Sequence, residues 1–206
     1  MKIMTGINQL KHMHLLQGTL LALIWGLFSY VHILAFLDKN DWTYLLLFVT
    51  ETLVAVLFVF RSEPVTVSTN PTDWALAISA TFAPFFLSPA EWGVLPQAKF
   101  ILAVGASIQI VGLVSLNRSF GLVAAKREIK TAGIYKIIRH PLYASYLLTT
   151  TGYLLANSSL RNLIVYVTLL TLLFFRLLRE ERHLSLDNQY RQYMNRVRYR
   201  VIPYIF

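Results

Sequence analysis

The stretch GIYKIIRHPLYASY, residues 133–146, precedes two long apolar segments and places Arg139, His140 and Pro141 side by side. Proline suits the first position of a helix, where no N–H is needed, so the stretch predicts a helix that begins at Pro141. The start of a helix is already electropositive, and an added arginine and histidine are unfavourable there unless an anion is present. Two interpretations stay open: a carboxylate or phosphate binds at this helix start, or Arg139 reaches lipid phosphate while His140 caps the helix.

The composition indicates a membrane protein. Of 206 residues, 56% are hydrophobic and 14% are charged, whereas soluble domains carry about a quarter charged residues. There is no cysteine, which excludes disulfides, thiolate chemistry and cysteine-based zinc sites. No set of histidine and acidic residues shows metal-ligand spacing, so we expect no metal.

Apolar segments long enough to cross a bilayer recur along the chain, since a crossing helix needs roughly 20 residues. They predict an all-α polytopic membrane protein with about six transmembrane helices, at residues 15–37, 42–60, 74–90, 97–116, 141–157 and 160–178. The third segment is the weakest, because Pro84 and Pro89 favour a kinked or re-entrant path. The last two segments are separated by Ser158 and Ser159, which predicts a tight antiparallel hairpin.

The distribution of basic residues predicts the orientation. With six crossings, sixteen of the nineteen lysines and arginines, Lys2 and Lys11 among them, fall on the side that holds both termini. Cytoplasmic loops of membrane proteins carry such an excess, so both termini are expected in the cytoplasm, and we expect a bacterial inner membrane. The net charge of +9 is then explained by orientation and by anionic lipid, and no nucleic-acid partner is expected.

The C-terminal tail carries an apolar stripe. Tyr190, Tyr193, Met194 and Val197 recur at helical spacing, which predicts a short amphipathic helix lying on the membrane.

Arg176 and Glu180 are four residues apart at the end of the sixth apolar segment. This spacing puts both side chains on one helix face, so they can form an ion pair worth roughly 0.3–0.5 kcal/mol. Alternatively, a carboxylate at that depth, beside the second acid Glu181, takes a cationic ligand as its partner.

Glu51 lies near the middle of the second apolar segment. An acid inside the membrane is costly and needs a partner. A structural hydrogen bond, to His32 on the first segment, is the simpler interpretation, and contact with a substrate is the alternative.

The residues from 117 onward resemble the isoprenylcysteine carboxyl methyltransferase family, which includes bacterial members and the phospholipid methyltransferases. The resemblance depends on the motif Arg-His-Pro-x-Tyr at 139–143, a helical hairpin, Arg-x-x-x-Glu-Glu at 176–181 and a Tyr-x-x-Tyr tail that ends in RVRYRVIP. It implies one structural domain with two parts. Residues 1–116 would hold transmembrane helices 1–4, and residues 117–206 would form a catalytic core of cytoplasmic loop, hairpin 141–178 and tail.

The resemblance also implies S-adenosylmethionine as cofactor, held in a cytoplasmic pocket beneath the tail, and a lipophilic acceptor that enters from the bilayer. The acceptor would be an isoprenoid carboxylate, a lipid amine or a thiol, and the oligomeric state stays open. Arg127 to Lys130 would line the cofactor, and Arg176 would face the acceptor. Arg176 and Glu180 would be the catalytic residues. Glu51 is a further candidate for substrate binding. The residues implied to contact the cofactor are Lys130, Tyr135, His140, Pro141, Leu142, Tyr143 and Glu180.

Two alternatives remain. Membrane reductases of the steroid 5-reductase type share the Arg-His-Pro-x-Tyr segment and use NADPH, but they typically carry asparagine and glutamate where this chain has Leu142 and Tyr146. A non-catalytic scaffold or transporter with a degenerate methyltransferase fold is the other possibility.

Overall fold

A computed structural model describes residues 2–123 and 125–206, without the side chains of residues 2–14, so Lys2 and Lys11 lie outside the described side chains. The described part is all-α, apart from a two-residue antiparallel pair of β1 (Thr66–Val67) with β2 (Ala125–Lys126). Its seven α-helices are α1 (Lys2–Lys39), α2 (Trp42–Phe60), α3 (Pro71–Phe82), α4 (Lys99–Leu116), α5 (Pro141–Ala156), α6 (Leu160–Leu184) and α7 (Asn188–Arg196). Short 3₁₀ turns occupy Ala83–Phe86, Pro96–Ala98, Asn117–Ser119 and Gly133–Lys136.

The helices confirm a polytopic membrane protein. Within the described residues, four segments are long and apolar enough to cross a bilayer: Leu15–Lys39, Trp42–Phe60, Pro96–Ser119 and Leu160–Leu184. The predicted third segment is helical over only 12 residues and ends at Phe82. The helix gives way to a 3₁₀ turn that contains Pro84. Proline ends the helix because it lacks a backbone N–H donor and disfavours helical backbone in the residue before it.

The predicted start at Pro141 and the hairpin after it are both confirmed. α5 ends at Ala156 and α6 begins at Leu160. The Ser159 side chain caps α6 by accepting a hydrogen bond from the backbone N–H of Asn162. The buried Asn162 side chain fastens this turn to the preceding loop, because its amide group donates to the Ser88 carbonyl oxygen at 2.8 Å and its oxygen accepts from the Ser88 N–H at 3.0 Å.

α5 packs most closely against α4, and glycines permit the approach. A Cβ atom at Gly152 would lie 2.5 Å from the Leu102 nitrogen and 2.8 Å from the Ala98 carbonyl oxygen. At Gly105 it would lie 2.7 Å from the Thr149 nitrogen. The two helix backbones therefore touch where these residues have no side chain.

The tail docks onto the protein, so the prediction that its helix lies on the membrane is wrong. Tyr190 and Tyr193 of α7 are buried against Tyr135, and the Tyr193 hydroxyl donates to the Tyr135 carbonyl oxygen at 2.7 Å. Beyond α7, the N–H groups of Arg139 and His140 donate to the carbonyl oxygens of Tyr199 and Arg200 at 2.9 and 2.8 Å. The apolar stripe covers the segment that leads into α5 instead of a lipid surface.

Replacing Gly152 with alanine tests the backbone contact between α4 and α5. Gly152→Ala should destabilise the protein by about 1–3 kcal/mol, because the new methyl group meets backbone atoms that have little freedom to move. Gly26→Ala is the matched control in α1, since no heavy atom lies within 4 Å of a Cβ there. Thermal unfolding in detergent should show a lower midpoint for Gly152→Ala alone, and equal midpoints would contradict the packing.

Candidate active site

A cavity of about 550 Å³ lies inside the helical bundle. This volume is within the usual range for small-molecule sites. One end is polar and is formed by the loop before α5, the start of α5, the last turns of α6 and α7. The side chains at this polar end include Lys130, Tyr135, His140, Tyr143, Arg176, Glu180 and Tyr190.

The other end of the cavity is apolar and is formed by the first three helices with parts of α4 to α6. Aromatic and aliphatic side chains dominate this end, including Trp25, Phe28, Phe58, Phe85, Leu102 and Leu173. Glu51, His32 and Gln109 are polar exceptions on its wall. The cavity thus joins a charged end to a surface suited to hydrocarbon.

Glu181 lies beside the polar end in a buried charge cluster. Its Oε1 atom accepts a hydrogen bond from Arg139 Nε at 2.7 Å, and it lies 2.7 Å from Arg139 Nη2 and 3.1 Å from His140 Nε2. Its Oε2 atom accepts from Arg200 Nε at 2.6 Å. Only about 5% of the Arg139 side chain and 6% of the Glu181 side chain are exposed. One carboxylate therefore neutralises cations from the α5 start and from the tail.

This cluster shows which partners Arg139 and His140 of the Arg-His-Pro stretch have. The anion that meets Arg139 and His140 is Glu181 of the same chain, and Arg139 Nη1 also donates to the Val197 and Arg198 carbonyl oxygens at 2.7 and 2.9 Å. The His140 side chain makes no capping hydrogen bond. Both side chains are thus engaged inside the protein, which corrects the interpretation that Arg139 reaches lipid phosphate and His140 caps the helix.

Glu180, the neighbouring acid, is oriented differently. Its Oε2 atom accepts a hydrogen bond from the Tyr143 hydroxyl at 2.7 Å, and Oε1 has no hydrogen-bond partner in the part of the chain that the structure describes. The predicted ion pair with Arg176 does not form among these residues. Arg176 Nη2 instead donates to the Leu122 carbonyl oxygen at 2.6 Å, Nη1 donates to Thr81 Oγ1 at 3.3 Å, and the guanidinium lies 5.8 Å from the Tyr143 ring centre.

The remaining predicted cofactor contacts share this end of the cavity. Tyr135, His140, Leu142, Tyr143 and Lys130 all contribute to its wall, and Lys130 Nζ lies 2.6 Å from the exposed carboxylate of Glu128. Pro141, the first residue of α5, is fully buried just behind this wall.

Tyr190 was predicted from the sequence as part of the tail but not as a residue of the cofactor site. Tyr190 lines the cavity, and its hydroxyl is buried with no hydrogen-bond partner among the described residues. Burial raises the pKa of Tyr190 and that of Tyr135 above the usual tyrosine range. Both phenols therefore stay protonated.

The suggested hydrogen bond between Glu51 and His32 is absent from the described part of the chain. His32 Nδ1 is buried without a partner, and Glu51 has no ion-pair or hydrogen-bond partner among the same residues. Both side chains nevertheless line the apolar end of the cavity. Contact with a ligand is thus the interpretation of Glu51 that the geometry leaves in place.

Fold and cavity together define a polytopic membrane protein whose cavity joins a charged end to an apolar one. Residues 95–192 match the phospholipid methyltransferase family. Residues 95–192 therefore form a phospholipid methyltransferase family domain, and methyltransferases of this family use S-adenosylmethionine. No curated protein sequence matches the chain.

The family match also revises the extent of the resemblance. It begins at residue 95 rather than 117 and so takes in all of α4, the helix that packs most closely on α5. Methyl transfer replaces the reductase and scaffold alternatives.

The two adjacent acids should respond differently to the same substitution. Glu181→Gln removes the charge that neutralises buried Arg139 and should cost about 3 kcal/mol or more, the usual result of breaking a buried ion pair. Glu180→Gln keeps an acceptor for the Tyr143 hydroxyl and should change the unfolding free energy by less than about 1 kcal/mol. Thermal and denaturant unfolding of both variants in detergent measure this difference, and a larger loss for Glu180→Gln would show that the roles are reversed.

Proposed function

We propose that this protein transfers a methyl group from S-adenosylmethionine, bound at the polar end of the cavity, to a lipid acceptor whose apolar part occupies the other end. One observation carries the proposal: Glu180, Tyr143 and Arg176 line the same cavity as Trp25 and Phe58. A reaction between a charged nucleotide and a lipid needs such a common space, because most of its rate comes from holding the two reactants aligned.

The residues at the polar end suit the cofactor's groups. The methionine part carries an ammonium, for which the free Oε1 atom of Glu180 is a suitable acceptor. Lys130 supplies a cation for the carboxylate, and the rings of Tyr135 and Tyr143 offer faces to the adenine or to the sulfonium. The unpartnered Tyr190 hydroxyl supplies a further donor.

His140, Pro141 and Leu142 would shape the wall of the cofactor site. The His140 ring lies edge-on to the Tyr143 ring at 5.4 Å between centres and is held in place by Glu181. Fixed in this way, the start of α5 presents a rigid surface, which is the kind of support that a precisely aligned site requires.

The bound cofactor supplies an already activated methyl group, so the protein mainly needs to align it and exclude water. Arg176 lines the cavity and links α6 to Thr81 of α3 and to the loop at Leu122. We assign Arg176 to positioning the acceptor and Glu180 to positioning the cofactor. A protonated acceptor would lose its proton to water at the polar end before it could accept the methyl group that the cofactor would supply.

The orientation follows from the charge distribution. We propose six crossings, with α3 and α5 as the two shorter ones, and a polar end of the cavity that faces the cytoplasm. Single cysteines can be introduced at Glu91 and Leu186, because the chain has no native cysteine. Labelling with an impermeant maleimide then reports on which side of the membrane each position lies.

Ligand-induced stabilisation tests the proposed cofactor site. S-adenosylhomocysteine at 100 times its dissociation constant should stabilise the purified protein in detergent by about 2.7 kcal/mol, and NADPH at the same concentration should have no effect. Glu180→Gln should weaken S-adenosylhomocysteine binding about tenfold, since it loses one charge-assisted contact worth roughly 1.4 kcal/mol. The exposed variant Glu63→Gln serves as control. Stabilisation by NADPH alone, or unchanged affinity in Glu180→Gln, would overturn the assignment.

Replacing Glu51 tests its predicted contact with the acceptor. Glu51→Gln should lower kcat/KM for the lipid acceptor about tenfold by removing a charged contact, while S-adenosylhomocysteine binding stays unchanged. The unfolding midpoint should not fall, because an acid in an apolar setting is costly to the folded state. A lower midpoint together with full activity of the folded fraction would show that Glu51 is structural.

A further inference from the structure

Three polar side chains on the cavity wall have no hydrogen-bond partner among the described residues. They are Glu51 of α2, Gln109 of α4 and Tyr146 of α5, and we call them the polar belt. Other polar side chains of the same wall are satisfied within the chain. Thr149 and Thr150, for example, donate to backbone carbonyl oxygens of α5 at 3.0 and 2.6 Å.

Glu51 and Gln109 lie at the same height in the helical bundle. α2 and α4 run parallel, because an ion pair between Lys99 and Asp41 joins their starts at 3.0 Å and a backbone hydrogen bond of 2.8 Å joins the segments that follow their ends. A helix rises about 1.5 Å per residue, so Glu51 lies about 13 Å before the end of α2 and Gln109 about 10 Å before the end of α4. The two residues are therefore within one helical turn of each other in height.

The close contacts at two glycines give the register of α5 on α4. A Cβ at Gly105 would lie 2.7 Å from the Thr149 nitrogen, and a Cβ at Gly112 would lie 2.9 Å from the Leu142 side chain. The two helices are therefore antiparallel. Gln109, midway between the glycines, lies opposite the midpoint of α5 between their two partners.

Tyr146 lies at that midpoint of α5, so it is level with Gln109 and Glu51. It is also about one helical turn farther from the start of α5 than Tyr143, whose hydroxyl donates to Glu180 at 2.7 Å. The rings of the two tyrosines lie 6.3 Å apart. The polar belt thus adjoins the proposed site of methyl transfer on its apolar side.

The chemistry of the polar belt suits a hydroxyl group. A polar group without a partner is costly in the hydrocarbon region, because lipid chains offer no hydrogen bonds. The Glu51 carboxylate accepts hydrogen bonds, the Tyr146 hydroxyl donates, and the Gln109 amide does both, yet no hydrogen bond joins these three side chains in the structure. A hydroxyl placed among them satisfies both kinds of partner, because it donates to the carboxylate and accepts from the amide and the phenol.

We propose that the polar belt binds a hydroxyl group carried on the hydrocarbon part of the lipid acceptor. The inference rests on the proposed function, since it concerns the acceptor in the same cavity. The acceptor is then a hydroxylated lipid, with its methyl-accepting group towards Arg176 and Glu180 and its hydroxyl deeper in the cavity. The polar belt selects such a lipid over one whose chain is hydrocarbon alone.

A hydroxyl scan of the full-length protein in detergent, saturated with S-adenosylhomocysteine, tests the proposal. The probes are stearic acids that carry one hydroxyl at successive positions of the chain, with unsubstituted stearic acid as the reference, and calorimetric titration measures their affinities. We expect one narrow range of hydroxyl positions to raise the affinity of the wild type about fivefold or more, the effect of one buried hydrogen bond. Partition of each probe into micelles is the same for every variant and does not affect their comparison.

Two double variants of the same chemistry separate the polar belt from the rest of the membrane surface. Gln109→Leu/Tyr146→Phe should flatten the scan to within about twofold. Its unfolding midpoint should not fall, because the lost groups have no partner among the described residues. Gln17→Leu/Tyr30→Phe is the matched control, since both residues are exposed on α1 and do not line the cavity, and it should keep the wild-type maximum.

Three outcomes would overturn the proposal. They are a flat scan in the wild type, which would mean that water alone satisfies the polar belt, an unchanged maximum in Gln109→Leu/Tyr146→Phe, and a flat scan in that variant together with a lower unfolding midpoint and weaker binding of S-adenosylhomocysteine, which would show a structural role. Failure of the proposed function is recognised separately, because S-adenosylhomocysteine would then not stabilise even the wild type.

Discussion

The buried carboxylate of Glu181 connects three segments that are far apart in the sequence. It accepts hydrogen bonds from Arg139 before α5 and from Arg200 in the tail, and His140 lies against the same oxygen as Arg139. Ion pairs at this depth rarely stabilise a fold by themselves, because the desolvation cost offsets the attraction, but they strongly disfavour any arrangement that separates the partners. The tail is therefore held in one position over the start of α5, and α7 places Tyr190 at the polar end of the cavity. The shape of that end depends on this one carboxylate.

The same region shows how two adjacent acids divide their work along one helix. Successive residues of a helix point about 100° apart, so Glu181 faces the tail while Glu180 faces the cavity. Glu181 is saturated with internal partners, whereas Glu180 keeps one oxygen free among the described residues.

Sequence patterns predicted the helices well, because long apolar segments have few alternatives in a bilayer and proline fixes the start of α5. The family motif likewise brought together Lys130, Tyr135, His140, Tyr143 and Glu180, which the structure places around one end of a cavity.

The docking of the tail was not predictable in this way, since the stripe of Tyr190, Tyr193 and Val197 fits a protein surface as well as a lipid one. The partner of Arg139 and His140 was missed for a similar reason. Glu181 is more than 40 residues away from Arg139. The spacing of Arg176 and Glu180 likewise predicted a local ion pair, but the long arginine side chain donates to a backbone carbonyl and a hydroxyl instead.

A structure of the protein with S-adenosylhomocysteine bound in lipid nanodiscs is the most direct test of the polar end of the cavity as the cofactor site. We expect the amino group of the ligand at Glu180, the ligand in contact with Tyr190 beneath the tail, and Glu181 still paired with Arg139 and Arg200. A ligand that displaces Arg139 from Glu181, or one bound outside the cavity between α5, α6 and α7, would contradict it.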